Sequence, residues 1–203
     1  MTNWYLMKEK IYIQEIDSPI GRLLIGAIDG KLCLCDMKCN KHLERNLNRI
    51  KRCLKAEFVE HGCLEGRKTE FSERRQIAEE VIEERKTKAV GVLFKARQEL
   101  EEYFAGTRNT FDIPLLPSGT DFQKSVWQAL LSIPYGKTVS YMHIAKLIGN
   151  PKGVRAVAQA IGSNALCILI PCHRVIGTNG SLTGFAGGLD AKKILLKTEG
   201  IKV

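Results

Sequence analysis

The sequence predicts an α+β fold: a small N-terminal domain with an antiparallel sheet and helices, and a mostly helical C-terminal domain with a helix-turn-helix. Three observations lead to this prediction. Residues 11–39 alternate apolar and polar side chains, residues 41–60 and 72–105 are rich in helix formers, and residues 138–164 contain two short helical segments around a glycine. Strands followed by helices in this order favour α+β over an alternating α/β architecture.

The N-terminal stretch is typical of a small antiparallel sheet. Its runs IYIQEI, RLLIGAI and KLCLCDM are separated by turn residues. Asp29 and Gly30 stand between the second and third run, which is a strong hairpin signal. Of the helical segments that follow, residues 89–103 have the clearest pattern, and Gly106 is expected to end that helix.

A linker divides the chain. Residues 111–119, FDIPLLPSG, contain two prolines and a glycine, which interrupt regular structure. We therefore place an N-terminal domain at 1–110 and a C-terminal domain at 116–203. The C-terminal domain opens with a capping-box pattern at Thr120 and Gln123, which predicts a helix start.

Two short helices follow at the helix-turn-helix. Ser140 is expected to cap the first, which ends at Gly149. Asn150 is expected to cap the second, which runs from Pro151 to about Ile161. Many helical hairpins never contact DNA, so this pattern alone leaves both interpretations open.

The second helix is expected to present small residues and a single cation on its exposed side. These residues are Gly153, Ala156, Val157, Ala160 and Arg155. A helix that reads bases in the major groove usually carries several long polar side chains. A smooth helix can instead enter a narrow minor groove, or its small residues can let two helices pack closely, and spacing alone leaves both open.

Composition and charge restrict the function classes. The 203 residues are 44% hydrophobic, contain no run of about 18 apolar residues, and start without a signal-peptide pattern. Seven cysteines, an odd number, then indicate free thiols in a reducing compartment. We expect a cytoplasmic monomer with no membrane partner.

The net charge of the chain is +9, and residues 116–203 hold ten Lys and Arg against three Asp and Glu. This excess suits a polyanion such as nucleic acid, although a solvated basic surface is an equal alternative.

Cys172 stands out among the cysteines. Cys33, Cys35, Cys53, Cys63 and Cys167 are expected to be buried and inert. Cys172 follows an apolar stretch expected to be a strand, and Pro171 forces a turn there. His173 and Arg174 can favour its thiolate, which is the nucleophilic form. The glycine-rich residues 177–188 could let backbone approach a ligand closely.

These residues carry a resemblance. IPCHRV at 170–175 resembles the active-site motif of the O6-alkylguanine-DNA alkyltransferases, also called methylated-DNA–protein-cysteine methyltransferases. The similarity extends over residues 103–200, with the order and spacing of the matching pieces preserved. They are YFAGTR at 103–108, IPYGKTVSY at 133–141, NPKGVRAV at 150–157, Asn164, LTGFAGG at 182–188 and LLKTEG at 195–200. The N-terminal half resembles the family's ribonuclease-H-like cap domain only loosely.

The resemblance implies DNA repair by direct, single-turnover transfer. The protein would bind double-stranded DNA, flip out an O6-alkylguanine (or an O4-alkylthymine) and move the alkyl group to Cys172. His173 would take the thiol proton through a water, and Glu199 would orient His173. Tyr141 would donate a proton toward the guanine ring. No cofactor is implied.

The resemblance also implies binding residues. Arg155 would fill the gap left by the flipped base, beside Gly153, Val154, Ala156 and Tyr141 on the DNA-facing helices. The residues around the base would be Asn164, Val175, Phe185, Ala186 and Lys192. The chain departs from the family at Ala165, where a proline is usual, and at Phe185 and Ala186, where Tyr and Ser occur, so we expect a changed rate or preference but not loss of activity.

Three alternatives remain from the sequence. Cys33, Cys35, Cys39 and His42 could bind structural zinc, but the Cys33–Cys35 spacing is shorter than usual, so no metal is expected. A DNA-binding regulator would use the helix-turn-helix without chemistry. A cysteine hydrolase would use Cys172 and His173 with turnover.

Overall fold

A four-stranded sheet forms the centre of the N-terminal half. Its strands are β1 (Glu9–Ile16), β2 (Leu23–Ile28), β3 (Lys31–Met37) and β4 (Ala56–Glu60), in the order β3-β2-β1-β4. This architecture comes from a computed structural model that describes residues 9–60 and 73–202. Cys63 therefore lies outside the described residues.

The hairpin predicted at Asp29 and Gly30 is confirmed, and β2 and β3 pair antiparallel around it. Both turn residues have positive φ, 46° and 73°. This is the backbone of a type I′ turn, which glycine adopts without steric cost and aspartate tolerates. The turn therefore fixes the register of the strand that leads toward the cysteine site.

The predicted helix over 41–60 is wrong at its C-terminal end. Helix α1 (Leu43–Leu54) stops because Lys55 adopts a left-handed backbone with φ 51°. The next five residues, AEFVE, form β4, which pairs in parallel with β1. The sheet is therefore mixed and not purely antiparallel as expected. Parallel pairing joins segments distant in sequence, so no local turn signal announces it.

Two helices cover opposite faces of this sheet. Helix α2 (Glu73–Phe104), which confirms the prediction over 72–105, contributes Leu93 and Leu100 to a cluster that contains Ile25. Helix α1 contributes Ile50 to a second cluster that contains Leu24. Successive strand residues point to opposite faces, so α1 and α2 lie on opposite sides of the sheet.

Helices dominate the C-terminal half. They are α3 (Asp121–Leu131), α4 (Tyr141–Leu147), α5 (Val154–Gly162) and α6 (Leu189–Thr198). The capping box at Thr120 and Gln123 is confirmed, with both reciprocal hydrogen bonds present. Ser140 caps α4 as predicted, since its hydroxyl accepts from the His143 N–H at 3.1 Å.

The expected start of the second helix at Pro151 is wrong by three residues. Helix α5 begins at Val154, and Gly153 is its N-cap residue. The Gly153 N–H donates to the Asn150 carbonyl at 3.0 Å, which closes a turn around Pro151. Asn-Pro initiates turns as readily as helices, and here the turn forms.

The linker is tied to the sheet. The Leu32 N–H donates to the Pro114 carbonyl, and the Leu116 N–H donates to the Leu32 carbonyl, each at 2.8 Å. The larger apolar cluster also draws side chains from both halves, including Met37 and Trp127. The two halves are thus joined by backbone pairing and by shared apolar packing. Although α2 spans 32 residues, no helix in the described ranges has an apolar stretch able to cross a bilayer.

Candidate active site

The segment before Cys172 is a compact turn, so the expectation of an apolar strand is wrong. Ile168 has φ +73°, a conformation that β-branched residues rarely adopt, and it reverses the chain. Asn164 holds this turn at both ends: its Oδ1 accepts from the Leu166 N–H and its Nδ2 donates to the Ile170 carbonyl, each at 2.9 Å. The strand-like pairing here is limited to one-residue bridges, between Cys35 and Leu166 and between Cys167 and Ile170.

Cys172 opens a short 3₁₀ helix, Cys172–Arg174, that leads into β6 (Val175–Ile176). Strand β6 pairs in parallel with β5 (Val139–Ser140), which directly precedes α4. The cysteine residue is only 6% exposed. The pairing of β5 with β6 therefore places the thiol beneath the helix-turn-helix.

The surroundings of Cys172 favour its thiolate. The neighbouring Cys167 thiol lowers the pKa of Cys172, burial opposes this shift, and Asn164 and the positive charge of Lys192 lower the pKa further. The same contact, together with burial, raises the pKa of Cys167. In this thiol pair the charge therefore falls on Cys172. This environment is typical of a cysteine nucleophile.

Behind the thiol, Glu199 is a shared acceptor for three side chains. Nε2 of His173 lies 2.7 Å from Oε1 of Glu199, and the Tyr103 hydroxyl donates to the same oxygen at 2.9 Å. Arg174 donates to both carboxylate oxygens, from Nε at 2.9 Å and from Nη2 at 3.0 Å. The Gly136 N–H donates to Oε2 at 3.1 Å. Burial raises the pKa of Glu199, but His173 and Arg174 outweigh it and bring it to about 2.

His173 is fully buried and neutral. Burial lowers its pKa, and the opposing effect of Glu199 does not reverse this. A neutral imidazole facing a carboxylate carries its proton on Nε2. Nδ1 is then a free acceptor, and it has no hydrogen-bond partner among the described residues. The ring can therefore accept one proton on the side away from Glu199.

Tyr141 and Lys192 both bind the glycine-rich loop at the Thr183 carbonyl. The Tyr141 hydroxyl donates to it at 3.1 Å and the Lys192 ammonium at 2.8 Å. Lys192 also donates to the Val175 carbonyl at 2.6 Å, and burial lowers its pKa to about 8. At the end of the loop, a Cβ on Gly187 would overlap the sulfur of Met37. The loop is therefore fixed to the cysteine strand on one side and to the N-terminal sheet on the other.

The outer surface of α5 differs from the expected smooth face. Arg155 and Ala156 are exposed and Val154 is half-buried, but Val157 and Ala160 are buried. Trp127 on α3 donates its indole N–H to the Ala160 carbonyl at 2.8 Å. For these two residues the helix-packing alternative is confirmed. The outer side of the helix carries Gln159, which is exposed, in addition to Arg155.

The structure brings most of the sequence-predicted site residues together around the thiol. Asn164, His173, Val175 and Lys192 are buried beside Cys172 or linked to it by hydrogen bonds. Phe185 and Ala186 are half-buried in the loop, and Arg155 lies on the outer surface of α5. The four candidate zinc ligands do not assemble: within the described ranges, no three possible metal ligands cluster.

Two participants, Tyr103 and Cys167, are absent from the sequence-based site. Tyr103 binds Glu199 and lies in a motif that already carried the resemblance. Arg174 was expected to favour the thiolate, and the structure shows its guanidinium on Glu199.

Cys167 is buried and its pKa is raised, as expected of an inert cysteine, but it also lowers the pKa of Cys172. No sequence signal distinguishes Cys167 from the other buried cysteines. Cys53 was expected to be buried, and that is wrong, because it is exposed.

The fold and the site define a class: helix-turn-helix proteins that hold an activated, buried cysteine next to the DNA-binding motif. The chain matches two family models, the DNA-binding domain of 6-O-methylguanine DNA methyltransferase over residues 121–201 and its ribonuclease-like domain over residues 11–117. The chain belongs to the 6-O-methylguanine DNA methyltransferase family, and the resemblance seen in the motifs is confirmed.

Relatives match over both halves. The chain is 41% identical over 189 residues to a methylated-DNA–protein-cysteine methyltransferase of Methanosarcina barkeri, covering 93% of this chain and 97% of the relative. Over 106 residues it is 59% identical to the protein of that name from Methanosarcina acetivorans, covering 52% of this chain and 68% of the relative. A crystal structure of Mycobacterium tuberculosis OGT in complex with DNA matches with a TM-score of 0.69 and 34% identity, covering 93% and 92% of the two chains.

Proposed function

We propose that the protein repairs alkylated DNA by moving an alkyl group from the O6 oxygen of guanine, or the O4 oxygen of thymine, to Cys172. The observation that carries this proposal is the buried Cys172 thiol, whose pKa is lowered within a helix-turn-helix domain. A similar protein, Mycobacterium tuberculosis OGT, has been crystallised in complex with DNA, which supports double-stranded DNA as the partner.

The transfer is a displacement at the alkyl carbon. The Cys172 thiolate attacks this carbon, an S–C bond forms as the C–O bond breaks, and the bonding electrons move into the guanine ring. The proton lost by the thiol passes through a water to Nδ1 of His173, which has its lone pair free. Tyr141 supplies a proton to the base, and solvent then restores His173 and Tyr141. The products are guanine and S-alkylcysteine, so each molecule acts once.

The target base must leave the duplex, because a thiol that is 6% exposed cannot reach into the stack. Arg155, with Gly153, Val154 and Ala156 around it, would contact the DNA and fill the vacated space. The pocket for the base would be lined by Val175, Phe185 and Ala186, with Lys192 holding the loop and Asn164 holding the turn. The exposed position of Arg155 and the contacts of Lys192 and Asn164 support these roles.

We propose the two domains that the sequence suggests. Residues 1–110 form a cap domain, and residues 116–203 form a domain that binds DNA and accepts the alkyl group. We also propose a cytoplasmic location. The six cysteines in the described ranges are unpaired, and Cys39 and Cys53 are exposed, as suits a reducing compartment.

One incubation tests the function. The protein is treated with O6-benzylguanine as the free base and measured by intact mass, followed by peptide mapping. We expect one stable adduct per chain, on Cys172, while the more exposed Cys39 and Cys53 stay unmodified. A pure regulator gives no adduct and a hydrolase shows turnover, so either result would overturn the proposal.

A further inference from the structure

Helix α1 presents three arginines along one face. Arg45, Arg49 and Arg52 are spaced i, i+4 and i+7, which places them on the same side of a helix. Arg45 and Arg52 are exposed, and neither has an ion-pair or hydrogen-bond partner in the part of the chain that the structure describes. The acidic residue of the helix, Glu44, is offset by about 100° around the axis. The face is therefore positively charged and unneutralised.

This arginine face forms one wall of an open groove of about 1170 Å³. The opposite wall comes from the start of α3 and from the outer side of α5, including Ala156 and Gln159. The groove therefore continues the surface on which Arg155 lies. It places charge from the N-terminal half beside the second helix of the helix-turn-helix.

Arg49 fixes the position of α1 against α5. Its Nε donates to the Ser118 carbonyl at 2.8 Å and its Nη2 donates to the Ser163 carbonyl at 2.7 Å. Its guanidinium also lies over the Trp127 ring, 5.4 Å from the centroid. Ser163 is the C-cap residue of α5. Arg45 and Arg52 are thus held by a rigid support next to α5, as required of side chains that bind a ligand in a fixed register.

We propose that Arg45 and Arg52 form a second DNA contact, binding backbone phosphates of the duplex beside the segment that α5 engages. This inference rests on the proposed function, because it requires α5 to dock on DNA. Phosphate is the ligand that fits: the groove offers unpaired guanidinium groups and small side chains, and none of the described residues that line it carries a carboxylate. The contact carries no sequence or lesion information, so it adds affinity for any duplex.

The test is a salt series with a double neutralisation, Arg45→Gln with Arg52→Gln. The slope of log affinity against log salt changes by about 0.9 for each phosphate that the protein no longer neutralises, so we expect a slope shallower by roughly 1.8. The variant should bind duplex less tightly than the parent at about 50 mM salt, and the ratio of the two affinities should shrink about tenfold between about 50 and about 200 mM salt. Thermal unfolding is measured in parallel, and the variant should melt like the parent because both side chains are exposed.

The matched control is Lys88→Gln with Arg97→Gln, which removes the same charge from α2 on the opposite face of the sheet. It should keep the parent's slope. The inference is overturned if the α1 variant also keeps that slope, or if both variants lose affinity equally. If the parent forms no benzyl adduct while the slope still changes as expected, the proposed chemistry fails and the phosphate contact stands.

Discussion

The thiols of Cys167 and Cys172 interact in the interior of the protein, and this interaction lowers the pKa of Cys172. The Cys167 thiol donates a hydrogen bond to Oδ1 of Asp36, a buried carboxylate near the end of β3, over a sulfur–oxygen distance of 3.6 Å. Three residues from two halves of the chain therefore meet at the acceptor. A cysteine that looks inert in the sequence sets the ionisation of its neighbour.

Replacing Cys167 by Ala removes the interaction between the two thiols, so the pKa of Cys172 should rise. Less thiolate is then present near neutral pH, and the profile of alkylation rate against pH should move to higher pH. The measurement is the rate with free O6-benzylguanine between pH 6 and about 10.

Two variants control for general disturbance. Cys33→Ala alters a buried thiol that donates to the Gly26 carbonyl, and it should leave the profile in place. Cys167→Ser keeps a polar hydroxyl beside Cys172, so its profile of rate against pH should lie between those of the parent and of Cys167→Ala. A uniform loss of rate at all pH values in Cys167→Ala would show that Cys167 only supports the fold.

Cys172→Ser should abolish alkyl transfer and leave DNA affinity nearly unchanged. A hydroxyl is far less ionised than a thiol, and the proposed DNA contacts lie on the outer surface of the helices. Adduct formation is read by mass, and duplex binding by titration at fixed salt. An adduct that persists in this variant would assign the acceptor to another cysteine.

Glu199 should give the protein an acid-labile component of stability. Its pKa falls from the usual 4.5 to about 2, so the stabilisation is complete above pH 4.5 and is lost as the pH falls through 2. This lowering of the pKa of Glu199 corresponds to about 3 kcal/mol of the free energy of unfolding. We expect the free energy of unfolding of the parent to fall over this window, and Glu199→Gln to lack that part of the decline.

Chemical denaturation at pH 7, 4 and 2.5 measures this effect. Glu101→Gln is the matched control, because it removes an exposed carboxylate whose ion pair with Arg97 contributes little. Identical pH dependence in the parent and in Glu199→Gln would mean that the buried carboxylate does not couple folding to protonation.

Arg155→Ala separates base flipping from chemistry. If Arg155 fills the space left by the base, its loss should slow transfer from duplex DNA at least tenfold, since unstacking a base costs a few kcal/mol and 1.4 kcal/mol is about tenfold in rate. The free benzylated base needs no flipping, so that reaction should keep its rate. His173→Ala should slow both. Equal losses on the two substrates, in an Arg155→Ala variant that melts like the parent, would make Arg155 structural.

Short sequence patterns correctly predicted the turns and helix caps that depend only on neighbouring residues. The Asp29-Gly30 turn, the capping box at Thr120 and the cap at Ser140 depend on a few adjacent residues. The acceptor and its His–Glu partners came from a motif whose spacing is preserved. Each of these features is specified within a short window of sequence.

Two of the features that the sequence did not predict depend on distant residues, and the third is local. Strand β4 forms because β1 offers a parallel partner. The turn at Ile168 is local and is stabilised by the side chain of Asn164, but it places a β-branched residue in a left-handed conformation that such residues rarely adopt. Cys167 donates its thiol hydrogen to Asp36, which is 131 positions away. The hydrophobic periodicity of the sequence does not predict contacts between residues that are far apart in the chain.

The contact between Gly187 and Met37 limits how the two halves can be recombined. A Cβ at position 187 would require the Met37 side chain to move, and Met37 follows directly on Asp36, the residue facing Cys167. In a chimera that joins the N-terminal half of this chain to the C-terminal half of a relative, positions 36 and 37 come from one protein and positions 167 and 187 from the other. Both contacts are therefore rebuilt at once. An exchange of halves that keeps the identities at 36, 37, 167 and 187 together preserves both contacts across the boundary between the halves.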